Sequence, residues 1–243
     1  MTLRSCLLLI DAGVEPMQLL AVRLQRLGYR AVRVKTTEEA HQALVEPRLS
    51  VGLAVIPPDL PAASLAGALQ ALRRLAPGAQ LPFLVTGTRP SREARDALAR
   101  AGADAQIFEP VDAHTLRFQV NRLLAGPRAA RSTRRVERVP SNVPVRLWIG
   151  RREKEARLYT ISSRGAYLST QAPALRNTEV QVEVELPRAR VRTAARVVMT
   201  NVPGNLMRKN LPVGMGVRFE STSIETAAHL QMYTDARLRT LEL

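Results

Sequence analysis

The hydrophobic pattern of this 243-residue chain changes character near residue 130, and that change dictates two units of different structural class. Before it, short apolar runs alternate with stretches whose apolar residues recur every three or four positions. Residues 7–10, 29–34, 51–56, 82–86 and 105–108 read as strands, and 17–27, 37–45, 64–75, 91–101 and 113–124 as the helices that follow them. Met17, Leu20, Leu24 and Leu27 fall on one face of the first helix, and Thr36 or Thr37 offers an N-cap for the second. The run 51–56 is apolar throughout, as a parallel strand covered on both faces requires. Five strand–helix units predict an α/β domain, a doubly wound, flavodoxin-like five-stranded parallel sheet, over residues 1–125.

Gly, Pro and small polar residues at 126–133 interrupt this pattern and read as a linker. Beyond it the period is two. Residues 143–149, 156–161, 166–169, 180–186, 192–199 and 214–219 read as strands, with Pro, Gly and Asn between several of them. Residues 224–241 return to helical spacing, with apolar Ile224, Ala228, Met232 and Leu238. Residues 134–243 are therefore expected to form a six-stranded β-barrel with a C-terminal helix.

Composition narrows the function classes. No apolar run approaches the roughly 18–20 residues of a membrane span, and residues 6–10 are too short for the apolar part of a signal peptide, so a cytoplasmic protein is expected. The single cysteine, Cys6, permits no internal disulfide and sits in an apolar strand, where it reads as a core residue. The histidines His41, His114 and His229 are scattered, so no metal is expected. The formal charge is +15, divided as +4 over residues 1–125 and +11 over 126–243, and lysine occurs only at Lys35, Lys154 and Lys209. Such a second half attracts anions, and guanidinium forks grip phosphate or guanine bidentately. No RNA-binding aromatic motif or recognition helix is visible, which argues against a specific nucleic-acid partner. No nucleophile–base pair or phosphate-cradling glycine loop is visible either, and a non-enzymatic role is expected.

The segments "LLLID" at 7–11, "LGYRAV" at 27–32, "LPFLVTG" at 81–87 and "AGADAQIFEP" at 101–110 resemble the receiver domain of two-component signalling. The resemblance implies an acceptor aspartate at the end of the third strand, an acidic pair after the first that binds magnesium, and a lysine after the fifth. Aligning "VGLAVIPPDLP" on Pro61 puts Pro57 at the acceptor position, with Asp59 two residues late. The acidic pair is Asp11 followed by Ala12, and the lysine position is Glu109; only Thr86 keeps the family's hydroxyl. The resemblance thus implies a pseudo-receiver that is not phosphorylated and that serves in partner docking or homodimerisation through its last helices.

In the second half, "RRVERVP" at 134–140, "TISSRGAYL" at 160–168 and "GMGVRFES" at 214–221 together resemble the PilZ family, whose signature is RxxxR in the segment entering the barrel followed by [DN]xSxxG between early strands. "RRVERVP" supplies Arg134 and Arg138, with Arg131 and Arg135 as an overlapping match. RxxxR alone carries nothing in so arginine-rich a chain; placement carries the weight. Twenty-two residues after Arg138 comes "TISSRGAYL", with Thr160, Ser162 and Gly165 on the family positions, and "GMGVRFES" at 214–221 matches the closing strand. The resemblance implies cyclic di-GMP as ligand, gripped by Arg134 and Arg138 with help from Arg131 and Arg135. Ser162 would hydrogen-bond base or phosphate, and Gly165 would allow a tight turn and close backbone approach. Thr160 departs from the family's Asp or Asn, which loses one guanine contact worth about 1–3 kcal/mol. Two readings follow: a cyclic di-GMP effector acting on a protein partner in motility, adhesion or regulation, or an adaptor that binds proteins without nucleotide.

Overall fold

The computed structural model describes residues 6–11, 15–59, 62–75, 81–125, 137–203 and 210–241. The chain divides into two compact units at residues 132–133.

In the first unit, β1 (Cys6–Ile10), β2 (Ala31–Val34), β3 (Val51–Ile56), β4 (Phe83–Gly87) and β5 (Ala105–Phe108) form one parallel sheet in the order β2-β1-β3-β4-β5. The helices are α1 (Glu15–Arg26), α2 (Thr37–Val45), α3 (Ala62–Leu75), α4 (Arg92–Arg100) and α5 (Ala113–Ala125). They cover both faces, so every residue of β1 is buried. Leu7 and Leu9 point into one core with Met17, Leu24, Leu116 and Val120 of α1 and α5. Leu8 and Ile10 point into another with Ala40, Leu44, Leu69 and Leu98 of α2, α3 and α4. Short polar side chains start the helices: Thr36 accepts from the Glu39 amide at 3.1 Å, Ser91 from Ala94 at 3.2 Å, and Asp112 from Thr115 at 3.0 Å. The sheet's order reverses between β1 and β3, and the crevice beyond their carboxyl ends is where open α/β sheets bind ligands.

The second unit comprises β6 (Val139–Pro140), β7 (Pro144–Ile149), β8 (Arg152–Ser162), β9 (Gly165–Ser169), β10 (Glu179–Leu186), β11 (Ala189–Asn201), β12 (Gly214–Glu220) and α6 (Ile224–Leu241). Its strands pair in the order β6-β8-β7-β10-β11-β12-β9, and β9 pairs back onto β8. Six antiparallel strands therefore close into a barrel, with β6 as a short addition outside the ring. Alternation sets which face is inside. Val180, Val182, Val184 and Leu186 of β10 are buried, while Glu179, Glu183 and Glu185 lie opposite Arg196, Arg192 and Arg190 of β11 on the outer face. Three of this unit's arginines are ion-paired there, Arg146 with Glu183, Arg190 with Glu185 and Arg196 with Glu179.

The strand and helix expectations hold within a few residues. Of the apolar positions that mark α6 in the sequence, however, only Leu238 is on its packed face. Ile224 is 93% exposed and Met232 49%, whereas Leu230, Thr234 and Leu241 are buried. Leu230 enters the barrel core, with Tyr233 and Leu238 packed against it. Two opposite stripes of this helix carry apolar residues, and periodicity alone cannot tell which of them meets the sheet.

Candidate nucleotide-binding site of the barrel

The entry to the barrel and the turn between β8 and β9 form one structure. Val139 pairs with Ile161 and Pro140 with Thr160 in antiparallel register. Continuing that register by one residue puts Arg138, half-buried, level with Ser162. Across β8, Thr160 pairs with Tyr167, Ile161 with Ala166 and Ser162 with Gly165. The strand-entry arginine and the three motif positions thus converge at one end of β8. Arg131, Arg134 and Arg135 lie outside the described residues, as does the whole of the linker expected at 126–133.

The motif residues hold this turn together. Ser162, 3% exposed, donates to the Gly165 carbonyl at 3.2 Å and accepts from the Arg164 amide at 3.4 Å. Gly165 does not have a positive φ, so the turn does not call for glycine. A Cβ there would stand 2.3 Å from the Val217 carbonyl oxygen of β12, so close backbone approach is what excludes a side chain. Thr160 is 5% exposed, lying between Pro140 and Tyr167 in the sheet. Tyr167 is fixed in turn by its hydroxyl, which donates to Pro212 at 2.7 Å, and by edge-to-face contact with Tyr159. Helix α6 braces the entry segment from the other side: the Tyr233 and Ser141 hydroxyls are 2.8 Å apart, and Arg237 donates to the Pro140 carbonyl at 3.3 Å.

Two further arginines flank the turn. Arg164 is within it, and Arg218 of β12, exposed, lies in register with Gly165. Their signal in the sequence was proximity to the motif: Arg164 is the residue before its glycine, and Arg218 belongs to "GMGVRFES". Arginines of three separate segments, Arg138, Arg164 and Arg218, thus lie within the turn or level with it, and Arg218 also stands 3.7 Å from Glu220.

In the first unit, the crevice at the carboxyl end of the sheet holds different chemistry. Asp11, 1% exposed, is ion-paired with Arg33 of β2, whose Nε donates to it at 3.2 Å. Pro57 follows β3 directly and is buried, Thr86 is buried on β4, and Glu109 is ion-paired with Arg23 of α1. A pocket of about 280 Å³ opens here between Met17, Pro57, Thr86, Arg89 and Glu109. Among the described residues no group of three or more His, Cys, Asp or Glu could hold a metal ion. Nor is any helix among them long and apolar enough to cross a membrane.

Residues 131–236 match the family described as the PilZ domain. No curated protein matches the chain in sequence. Among solved structures, the PilZ domain with c-di-GMP of YcgR from Escherichia coli is similar, at 20% identity over 45% of this chain and 94% of that one, with a TM-score of 0.36. Over the N-terminal half, a CheY-like response regulator receiver domain from Methanospirillum hungatei is similar at 21% identity, covering 52% of this chain and 98% of that one, with a TM-score of 0.41. A two-component response regulator from Clostridium difficile is similar at 16% identity, 51% and 98% coverage and a TM-score of 0.41. Residues 131–236, which hold the entry strand led by Arg138 and the serine–glycine turn, are a PilZ domain.

Proposed function

We propose that this chain is a non-enzymatic cyclic di-GMP-binding effector, which passes the level of that second messenger to a protein partner through a receiver-like unit that is not phosphorylated. The observation that carries the reading is the convergence, inside a PilZ domain, of Arg138 with the Ser162–Gly165 turn at one end of β8. Cyclic di-GMP presents two phosphates and two guanines. Guanidinium forks suit both phosphate oxygens and the O6/N7 edge of guanine. Arg138 would grip the ligand together with Arg134, and with Arg131 and Arg135 as neighbours in the entry segment. The turn of β8 and β9 would give the ligand a backbone edge to lie against, with Ser162 and Gly165 setting its shape. Closing the entry segment over the ligand would then change what the barrel presents to a partner.

Isothermal titration of the full chain with cyclic di-GMP tests this. Binding is expected, and Arg138→Ala is expected to weaken it about tenfold or more through loss of a charge-assisted contact. Thr160→Asp is expected to strengthen it about ten- to hundredfold by restoring a guanine contact. One observation favours the adaptor reading: Thr160 is 5% exposed and leaves little surface for a base to touch. That reading expects no heat from wild type and none from Thr160→Asp, and such a result would overturn the effector proposal.

A further inference from the structure

Helix α6 carries an outward stripe that the barrel does not use. Ile224, Ala228, Met232 and Ala236 are all exposed, Ile224 by 93% and Met232 by 49%, on the side opposite the buried Leu230, Thr234 and Leu241. Down the middle of that side run Glu225, Met232 and Arg239, spaced seven residues apart. Seven residues are about two helical turns, so the three side chains form one seam with the slow drift that produces shallow, left-handed helix packing. The small Ala228 and Ala236 flank it and let a second backbone come close.

The charges on this seam select its occupant. Glu225 stands in the first turn and Arg239 in the last, equidistant from Met232. Neither has an ion-pair partner among the described residues. A second copy of α6 laid antiparallel, with its two-fold axis at Met232, brings each Glu225 opposite the Arg239 of the other copy and the two Met232 side chains together. A parallel arrangement would oppose like charges at both ends and is disfavoured. The surface is therefore complementary to itself under two-fold rotation, which is the requirement for an isologous dimer. A groove of about 270 Å³ runs beside the seam, between α6 and the β10–β11 turn, walled by Leu186, Pro187 and Tyr233 together with the polar Arg188, His229 and Asp235. This mixed wall extends the face beyond the helix, toward the roughly 1,200 Å² that stable interfaces bury. Met232 and Arg239 line the same groove, so seam and groove are one continuous surface.

We infer that the chain self-associates through α6, as an antiparallel dimer centred on Met232 and locked by reciprocal Glu225–Arg239 ion pairs. The inference does not depend on nucleotide binding. It also places self-association on the barrel unit rather than on the last helices of the receiver-like unit, where the resemblance alone would put it.

Sedimentation equilibrium of the full chain over a concentration series tests it. Wild type is expected to show a reversible monomer–dimer equilibrium. Glu225→Arg and Arg239→Glu each oppose like charges across the dyad, and each is expected to raise the dimer dissociation constant about tenfold or more. Both positions are on the outer side of the helix, so the variants keep the fold, which the circular dichroism melt checks. An equimolar mixture of the two variants recreates both ion pairs in a heterodimer and is expected to recover the wild-type dissociation constant within a few-fold. Met232→Cys, on the dyad, is expected to give a covalent dimer on mild oxidation. Leu175→Cys, on an 81% exposed residue away from α6, is expected not to, and the fully buried Cys6 does not compete. A wild type that stays monomeric throughout overturns the inference. So does a dimer that neither reversal weakens, which would place the interface on another surface or partner face, and so does a loss that mixing fails to restore.

Discussion

Arg33 of β2 holds the buried carboxylate of Asp11 at the end of β1, with its Nε 3.2 Å from Asp Oδ2. A receiver would place a second carboxylate and a metal ion at that point; here a cation supplied by the chain itself neutralises the acid. Pro57 follows β3 and Glu109 follows β5, the two places where the receiver resemblance puts the acceptor and the lysine, and Glu109 is ion-paired with Arg23. Incubating the chain with magnesium and a small-molecule phosphodonor is expected to give no phosphoryl adduct on residues 1–125, as read by intact mass and by mass after acid treatment. A stoichiometric adduct on Asp11 or Asp59 would show that another carboxylate has taken over the chemistry. Arg33→Ala removes the guanidinium that Arg33 brings to the buried Asp11. With Arg33 partly solvated, the expected loss is about 1–3 kcal/mol in a denaturant titration.

Cys6 offers a second check on the same sheet. Its thiol is fully buried in β1, and burial pushes its pKa above the ordinary thiol value, with Arg30 opposing that rise. Nucleophilic reaction needs the thiolate and access to it. Native protein is expected to resist a thiol-specific chromogenic reagent, and the denatured chain to consume one equivalent. Rapid, stoichiometric labelling of the native state would mean that β1 is more accessible than its packing implies.

How far the molecule was legible from its sequence varies with how local the determining contacts are. Strands such as Val51–Ile56 and Glu179–Leu186 announced themselves because their side-chain pattern is set by their own burial. The entry segment and the Thr160–Gly165 turn were readable as a motif, but not their juxtaposition, which depends on the two-residue pairing of β6 with β8. The reason for glycine at Gly165 was half legible: close approach was expected, but the obstacle is a carbonyl of β12, some fifty positions away in sequence. The Asp11–Arg33 pair joins neighbouring strands and could not be seen at all, since nothing in residue spacing says which arginine faces which acid. In α6 the pattern was clear and its direction was not, because Ile224, Ala228 and Met232 make as good a helical stripe as the residues that are buried.

The outer face of the barrel predicts a pH dependence. Arg196 donates from Nε to Glu220 at 2.8 Å and from Nη2 to Glu179 at 2.6 Å. The hydrogen bond from Arg196 holds the Glu220 carboxyl below its ordinary pKa, against a smaller opposing effect of desolvation. A carboxylate with a depressed folded-state pKa adds stability that is complete above its unfolded value. That stability is lost as the pH falls from there through the folded value. Wild type is therefore expected to melt above Glu220→Gln at about pH 7, with the gap closing below roughly pH 4, where the unfolded carboxyl protonates. A gap that persists unchanged at about pH 3 would mean that Glu220 acts through packing rather than charge.

The β8–β9 turn allows structural and ligand-contacting roles to be separated. Ser162 has a role without any ligand, since its hydroxyl donates to the Gly165 carbonyl and accepts from the Arg164 amide within a buried turn. Ser162→Ala is expected to cost about 0.5–1.5 kcal/mol, the net worth of such a hydrogen bond. Gly165→Ala pushes a methyl group against the Val217 carbonyl, 2.3 Å away, and the backbone of β9 or β12 must shift. The expected cost is about 1–3 kcal/mol, as for other overpacked sites. Denaturant titrations of both variants give these costs, and cyclic di-GMP titrations under conditions where each variant is folded give the ligand effect. A turn that only shapes the site loses stability in both variants and loses affinity chiefly in Gly165→Ala, where the backbone itself is displaced. If Ser162→Ala leaves stability unchanged yet weakens ligand binding, the hydroxyl must leave Gly165 to bond the ligand, and the turn is rebuilt when the site fills.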